Sequence, residues 1–444
     1  MKMPAKISPE IARFRKVSEL LAKPVLLPNF RSNRLGFTRA SSRRTLLAGA
    51  SIGLISSRAW AQQPSEVKVG LLVPISGLYA RPGTVMREGA EMAVDHINAQ
   101  GGVKSLGGAK LKLVVLDSGD TTEKAKNAAQ RMVAQEPDLV AATGSYLSSF
   151  TLATTEVTER AQLPMLTLSY SDLITDRGFK FIFQTAATAS RQSELGLPEL
   201  MKLAEAASGK RPKTVAMIMD NTATSVATSK ALKEKLFAQE GLQLVVEEVW
   251  TPPLSDATPL IQKVRSTRPD LLLFMPNAVS DAKLGLEKIN EFGLGQGKIP
   301  TVSFSITIAE PDMLQSVAPE AVQGIMTIVA NWGSKGHEDL IAELKQKYKE
   351  PWMTQNVIST YGDMWLMKEA LEKAGKADRL AVADAFRTMD GGPSKYYPGG
   401  ELKFDEKGRR VGAGVVIVQW QNGVPVTVYP SDLALAQPFW PKKT

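Results

Sequence analysis

The sequence predicts an α/β protein built as two parallel-sheet lobes, and three observations carry that expectation. Strand-like and helix-like segments alternate from residue 67 onward, the alternation starts afresh near residue 214, and 444 residues exceed one ordinary domain. Strands alternating with helices argue for βαβ units and a parallel sheet covered on both faces.

The elements follow in order. VKVGLLV (67–73) is a short apolar run of β-branched character, and residues 84–99 have helical periodicity ending at Gly101-Gly102. LKLVVLD (111–117) is a second strand, followed by a helix over 121–135 that closes before Pro137. DLVAATG (138–144) leads to a helix over 148–161, PMLTLS (164–169) is the fourth strand, and FIFQT (181–185) is another. The second series runs TVAMIMD (214–220), helix 224–239, LVVEEV (244–249), helix 258–267, DLLLFMP (270–276) and helix 279–292. IPTVSF (299–304) and AVQGIMTIV (321–329) complete it. Helices over 338–349, 356–374 and 378–389 come next, then a β-rich end over 401–428. Gly391-Gly392-Pro393 and Pro398-Gly399-Gly400 punctuate the approach to that end.

A formal charge of +9 would suggest nucleic acid or an anionic membrane. The first 61 residues, however, hold 12 Lys and Arg against 2 Asp and Glu, leaving 42 against 43 in the remainder. No nucleic-acid partner is therefore expected. The excess belongs to SSRRTLLAGASIGLISSRAWAQQ (41–63), with a twin-arginine pair at Arg43-Arg44, a modest apolar stretch and an A-x-A site at Ala59-Trp60-Ala61. Residues 1–61 thus read as a Tat-type signal cleaved after Ala61, engaging the Tat export machinery. The apolar stretch of about 11 residues is too short to span a bilayer. Periplasmic residence is expected.

Zero cysteines leave no disulfide framework, thiolate metal site, cysteine nucleophile or lipobox. The two histidines, His96 and His337, lack a second histidine at ligand spacing, so no metal or other cofactor is expected. Gly49-Ala50-Ser51-Ile52-Gly53 has the form of a nucleophile elbow but lies inside the signal. Gly293-x-Gly295-x-Gly297 follows a helix rather than a strand, the wrong setting for a dinucleotide fingerprint. Carboxylate pairs at Asp117/Asp120 and Glu247/Glu248 are of the kind common in solvated loops. No catalytic constellation is visible.

Ligands of open parallel sheets meet the carboxyl ends of strands. The loops there carry Ser76, Tyr79 and Arg81 in LVPISGLYARPG, Tyr146, Ser148, Ser149 and Thr151 in GSYLSSFT, and Ser169, Tyr170 and Ser171 in LSYSD. DNTATS (220–225) and MPNAVS (275–280) occupy matching places in the second lobe. Serines here cap helices, receive anions at a helix N-terminus, or do both. The tyrosines either pack at a lobe surface or stack an apolar ligand body in a concave site.

With VGLLVPISGLYARPG, GAEMAVDHINAQGGV, VVLDSGD, ATGSYLSS, LPMLTLSYSD and YGDMWLMKEALEKAG in view, the chain resembles a periplasmic solute-binding protein of an ABC importer, of the leucine/isoleucine/valine-binding type, over roughly residues 66–425. The resemblance implies the type I periplasmic binding fold: α/β, two Rossmann-like parallel-sheet lobes joined by hinge crossovers, closing on a small solute. It sets lobe 1 at 62–186 plus 330–400 and lobe 2 at 187–329 plus 401–444. It implies a monomer that delivers the solute to a membrane permease powered by ATPase subunits, with no catalysis. Ser148 falls where the family offers a serine to the ligand carboxylate, and Ser169 and Tyr170 where a second pair does so. Pro82 stands where an aromatic covers the ligand, with Tyr79 close enough to substitute. Thr224 and Asn277 take second-lobe positions. Where the family places an acidic clamp for an amino acid's ammonium group, Ser305 is the nearest match.

An unpaired buried ammonium costs several kcal/mol. Without such a clamp the solute is expected to be a carboxylate, an amide or an aromatic acid, an amino acid staying open, with Arg81 either pairing with such an acid or solvated. Two other readings stand beside import: a ligand sensor that signals closure to a receptor, and a secreted hydrolase using Ser148.

Overall fold

The structure, a computed structural model, describes residues 65–440 apart from residues 316 and 393. The expected export signal, its cleavage site after Ala61 and the Gly49–Gly53 sequence fall outside the described residues.

Five strands form the first sheet in the order β2-β1-β3-β4-β5, all parallel. They are β1 (Glu66–Val73), β2 (Lys110–Asp117), β3 (Ala141–Gly144), β4 (Met165–Thr167) and β5 (Ile182–Gln184). Helices α1 (Ala80–Ala99), α2 (Thr122–Gln135), α3 (Ser148–Arg160) and the single turn α4 (Leu173–Asp176) connect them. Side-chain alternation along β1 decides the two faces. Val67, Val69, Leu71 and Val73 join a core with Val85, Met86 and Ile97 of α1, whereas Leu72 clusters with Ala128, Ala129 and Met132 of α2. Gly70 faces α2 as well, where a Cβ would sit 3.3 Å from the Met132 sulfur.

The second sheet has seven strands in the order β12-β11-β10-β9-β8-β6-β7. Helices α5 (Ala189–Ser208), α6 (Ala223–Ala231), α7 (Phe237–Gln239), α8 (Thr258–Thr267), α9 (Val279–Glu291) and the turn α10 (Pro319–Val322) belong to it. β6 (Thr214–Asp220), β7 (Gln243–Trp250), β8 (Leu271–Met275), β9 (Thr301–Ser303) and β10 (Met326–Val329) are parallel. Ala216, Ile218, Leu272 and Phe274 cluster with Ile261, Val264 and Leu286 of α8 and α9. Their neighbours Val215, Met217, Leu271 and Leu273 join Leu197, Leu200 and Met201 of α5.

After β10 the chain returns to the first sheet. There α11 (Glu338–Tyr348), α12 (Gln355–Ala374) and α13 (Arg379–Arg387) complete its cover. Lys347 reaches Asp95 at 2.6 Å and Glu343 reaches His96 at 2.9 Å, tying α11 to α1. Gly89 lets α1 approach α12 closely, since a Cβ there would lie 2.3 Å from the Val357 carbonyl oxygen. The chain then crosses again to add the antiparallel strands β11 (Val416–Gln421) and β12 (Val424–Tyr429) to the second sheet.

Three crossovers thus join the lobes, and the buried Arg410 links two of them. Its guanidinium donates to the carbonyls of Thr185 (3.0 Å), Gly399 (2.6 Å) and Pro398 (2.9 Å). Burial draws it down to about 10, and carbonyl dipoles satisfy its donors.

Several elements differ from expectation. The first helix starts at Ala80 rather than residue 84, after a 3-10 turn over Gly77–Tyr79 that Gly77 permits with φ +76°. Helix α5 has no counterpart in the sequence reading. Gly196 and Pro198 interrupt its helical pattern, although Thr188 caps it and Gly209 closes it in the left-handed region. The expected helix over 224–239 contains a π turn at Leu232–Leu236. The start of the expected strand over 321–329 is the helical turn α10. Of the β-rich end, residues 404–410 form isolated bridges, one of them to Gln184 of the first sheet.

Candidate functional site

The loops that follow β3 and β4 in the first sheet face those that follow β6, β8 and β9 in the second. Ser148 opens α3, and its Oγ accepts from the backbone N–H groups of Tyr170 (3.2 Å) and Ser171 (3.0 Å). Thr224, in the first turn of α6, donates to the same Oγ at 3.2 Å and accepts from the Ser148 N–H at 3.3 Å. Tyr146 adopts φ +78° and donates its hydroxyl to the Asn277 carbonyl at 3.0 Å. The cleft is drawn together by hydroxyls from both sides.

Beneath Asn277 lies the buried carboxylate of Asp220, at the end of β6. It accepts from the Asn277 N–H (2.7 Å), from Asn277 Nδ2 (3.0 Å) and from the N–H (3.1 Å) and hydroxyl (2.7 Å) of Thr222. Burial pushes this carboxyl up, while the bonds from Thr222, Asn277 and Ser225 oppose the shift. With Nδ2 committed to Asp220, the Asn277 amide can only turn its Oδ1 toward Ser305, whose hydroxyl donates to it at 3.4 Å. On the first-sheet side, Tyr170 donates to Gln355 Oε1 at 2.6 Å, and Ser169 donates to the Tyr146 carbonyl at 2.9 Å.

These groups enclose a cavity of about 20 Å³, room for roughly one water. Six of the residues expected from sequence line it: Tyr146, Ser169, Tyr170, Thr224, Asn277 and Ser305. Ser148 adjoins it through Tyr170 and Thr224. Ser149, in the first turn of α3, is not among the lining residues. Tyr79 lies behind Tyr146, with ring centroids 6.1 Å apart, and packs edge-on against Phe150. Arg81 is held in ion pairs with Asp312 and Glu350 and does not line the cavity.

Sequence reasoning missed Leu147, Leu168, Ile306, Gln355 and Asn356. The two amides begin α12, which enters from a crossover with no strand before it, so a search of strand-end loops passes over them. Among the described residues no charged side chain lines the cavity. The nearest carboxyls stand one layer back, Asp220 behind Asn277 and Glu310 behind Asn356, whose Nδ2 lies 3.5 Å from Glu310 Oε1. Burial pushes the Glu310 carboxyl up to about 8, with the Arg81 charge opposing. Glu310 Oε2 and Asn356 Oδ1 have no partner among the described residues.

Ser148 Oγ is hydrogen-bonded to backbone amides and a threonine, with no histidine or carboxylate base in reach among the described residues. His96 meets Tyr361 and Glu343, and His337 meets the Lys395 carbonyl. Asp117 accepts from the N–H groups of Ile75 and Gly119, while Glu247 and Glu248 pair with Lys233 and Lys263. Among the described residues no helix is long and apolar enough to cross a membrane.

Residues 66–424 match the model of the periplasmic binding protein family. The chain is similar to a Leu/Ile/Val-binding protein homolog of Brucella melitensis, 29% identical over 406 residues that cover 90% of this chain and 97% of that one. Among solved structures, it resembles an ABC transporter solute-binding protein of R. palustris in complex with benzoate. That match has a TM-score of 0.70 at 17% identity and covers 85% of this chain and 100% of the other. A branched-chain amino acid transporter substrate-binding protein of Streptococcus pneumoniae in complex with isoleucine matches with a TM-score of 0.68 at 20% identity, over 82% and 99% of the two chains.

Proposed function

The chain belongs to the periplasmic binding protein family, and from that membership we propose that it captures a small aromatic or branched aliphatic carboxylate, or the corresponding amide, between its lobes. The observation that carries this reading is a cleft lined by hydroxyls, amides and apolar side chains, with no charged side chain at its wall among the described residues. A solute carboxylate suits the start of α3, where the helix N-terminus and the Ser148 hydroxyl gather. An apolar body suits Leu147, Leu168, Ile306 and the Tyr170 ring. A free ammonium group finds no ready partner, because Asp220 is saturated by its own neighbours and Glu310 is held protonated at neutral pH. The benzoate-bound relative favours an acid, and the isoleucine-bound one favours an amino acid. The cavity is far smaller than either ligand, so the lobes separate to admit the solute.

Family members of ABC importers work with permease and ATPase components, and these are the partners we assign to this chain, acting as a monomer without catalysis. The lobe division proposed from sequence (62–186 plus 330–400, and 187–329 plus 401–444) stands as part of this reading. So does export through the Tat machinery with cleavage after Ala61. N-terminal sequencing of the exported protein is expected to begin at Gln62; a product that retains Arg43-Arg44 would refute the cleavage assignment.

The solute assignment is checked by thermal unfolding of the chain from Gln62 with benzoate, 4-hydroxybenzoate, isovalerate, isovaleramide and leucine. A bound acid at a hundredfold excess over Kd stabilises by about 2.7 kcal/mol, and Ser148→Ala and Tyr170→Phe reduce that shift. Tyr170→Phe leaves the unliganded transition within about 1 kcal/mol because Gln355 Oε1 keeps the Ala330 N–H, whereas Ser148→Ala strands the Tyr170 and Ser171 N–H groups and lowers it by about 1–3 kcal/mol for each bond not replaced. A response to leucine alone would overturn the preference for an acid. Unchanged affinity in both variants would overturn the site.

A further inference from the structure

Arg81 sits in the first turn of α1, where the helix macrodipole disfavours a cation. Its guanidinium is taken up by the protein itself. The two terminal nitrogens donate to Glu350 Oε1 at 2.8 Å and Oε2 at 2.6 Å, a forked pair that fixes the plane of the group. Nε is left to donate to Asp312 Oδ2 at 2.7 Å. Glu350 lies between α11 and α12, next to α1 on the side of the first sheet. Asp312 lies in the 3-10 turn Pro311–Gln315 that follows β9 of the second sheet. The guanidinium therefore bridges the two lobes at the margin of the cleft.

We propose that the Arg81–Asp312 ion pair is a latch between the lobes, which opening of the cleft must break and which biases the protein toward the closed state. Glu350 keeps the guanidinium aimed at Asp312 whether or not the pair is made. Two further carboxyl groups face Arg81 without bonding to it: Glu88, two turns along α1, and Glu310, next to Asp312. Burial keeps Glu310 largely protonated at neutral pH and Glu88 partly so. The charge that holds the guanidinium is therefore mainly that of Glu350 and Asp312, and Asp312, on the other lobe, is the partner that leaves. Asp312 and Arg81 keep 21% and 25% of their side-chain surface, so salt reaches the pair and its bias is modest. A modest bias suits a protein that must both hold a solute and let it go. The latch needs no particular solute, so it stands apart from the solute assignment.

The absence of cysteine makes the test clean. Gln130→Cys on α2 and Lys235→Cys in the π turn of the second lobe, both exposed, carry spin labels for a distance measurement without solute. The parent is expected to populate mainly the shorter distance. Asp312→Asn, nearly isosteric, is expected to raise the longer-distance population about threefold, as befits a partly exposed pair. In the parent, 0.5 M sodium chloride should do the same, and in Asp312→Asn it should add nothing. Arg81→Gln should match Asp312→Asn; should it fail to fold, the aspartate variant and the salt series still decide the matter. Identical distance distributions in parent and Asp312→Asn, or a parent already wholly at the longer distance, would overturn the latch.

Discussion

Replacing Asp220 by alanine is expected to lower the unfolding free energy by about 3–5 kcal/mol and to abolish any solute-dependent stabilisation. The Asp220 carboxylate is fully buried and is the acceptor for two backbone N–H groups, one hydroxyl and the Asn277 amide. Alanine removes the acceptor and leaves those donors in a dry site, each costing about 1–3 kcal/mol where nothing replaces the bond. The functional loss follows from geometry. Without Asp220 the Asn277 Nδ2 keeps only the Thr222 and Ser225 hydroxyls as acceptors, and its backbone N–H loses its acceptor, so its Oδ1 is held less firmly at the cavity. Asp220→Asn keeps the shape and one acceptor oxygen, and is expected to cost about half as much. Urea denaturation at pH 7 with an unchanged m-value checks this. A loss below 1 kcal/mol for the alanine variant would show that Asp220 is not the acceptor the Asn277 and Thr222 donors depend on.

The second large effect concerns pH. The Glu310 carboxyl is fully buried and burial raises it from 4.5 to about 8. The unfolded chain therefore gives up this proton near pH 4.5, while the folded protein retains it until about pH 8. Folded Glu310 binds more protons than unfolded Glu310 across that window, so stability falls as pH rises through it. The contribution is intact below pH 4.5 and is lost progressively toward pH 8. Glu88, raised to about 7 by burial and by the charge of Glu350, and Asp363, raised to about 6 by burial, act in the same direction. Glu310→Gln holds the neutral shape at every pH. It is expected to match the parent near pH 5 and to exceed it at pH 8 by on the order of 3 kcal/mol. Unfolding midpoints at half-unit intervals from pH 5 to 9 test this, and parallel curves for variant and parent would exclude Glu310 as the source.

How legible the protein was in its sequence varies from residue to residue, for physical reasons. Strands such as β1 and β6 and the helix Thr258–Thr267 stand out because their apolar periodicity reports burial against a face directly. Helix α5 does not, because Gly196, which admits Ile328 where a Cβ would clash, and Pro198 both break its helical pattern, and the reason for the glycine lies in a tertiary neighbour. Six cavity residues were readable because strand-end loops are where parallel sheets meet ligands. The roles of Arg81 could not be read: its acidic partners lie 231 and 269 residues further along the chain. The same holds for Asp220, which looks in sequence like any strand-end aspartate until Asn277 is folded over it.

The close approach of α1 to α12 at Gly89 and Val357 also bears on how the molecule is made. The five strands of the first sheet are all synthesised by Gln184, with α1 already in place to pack on the face bearing Val67, Val69 and Leu71, yet that face is completed only by a helix that begins at Gln355. During most of synthesis the nascent chain carries a nearly formed sheet whose one apolar side is covered by α1 but not yet by α12. The lobe that is first in sequence is thus among the last to finish, its packing incomplete until the final quarter of the polypeptide arrives.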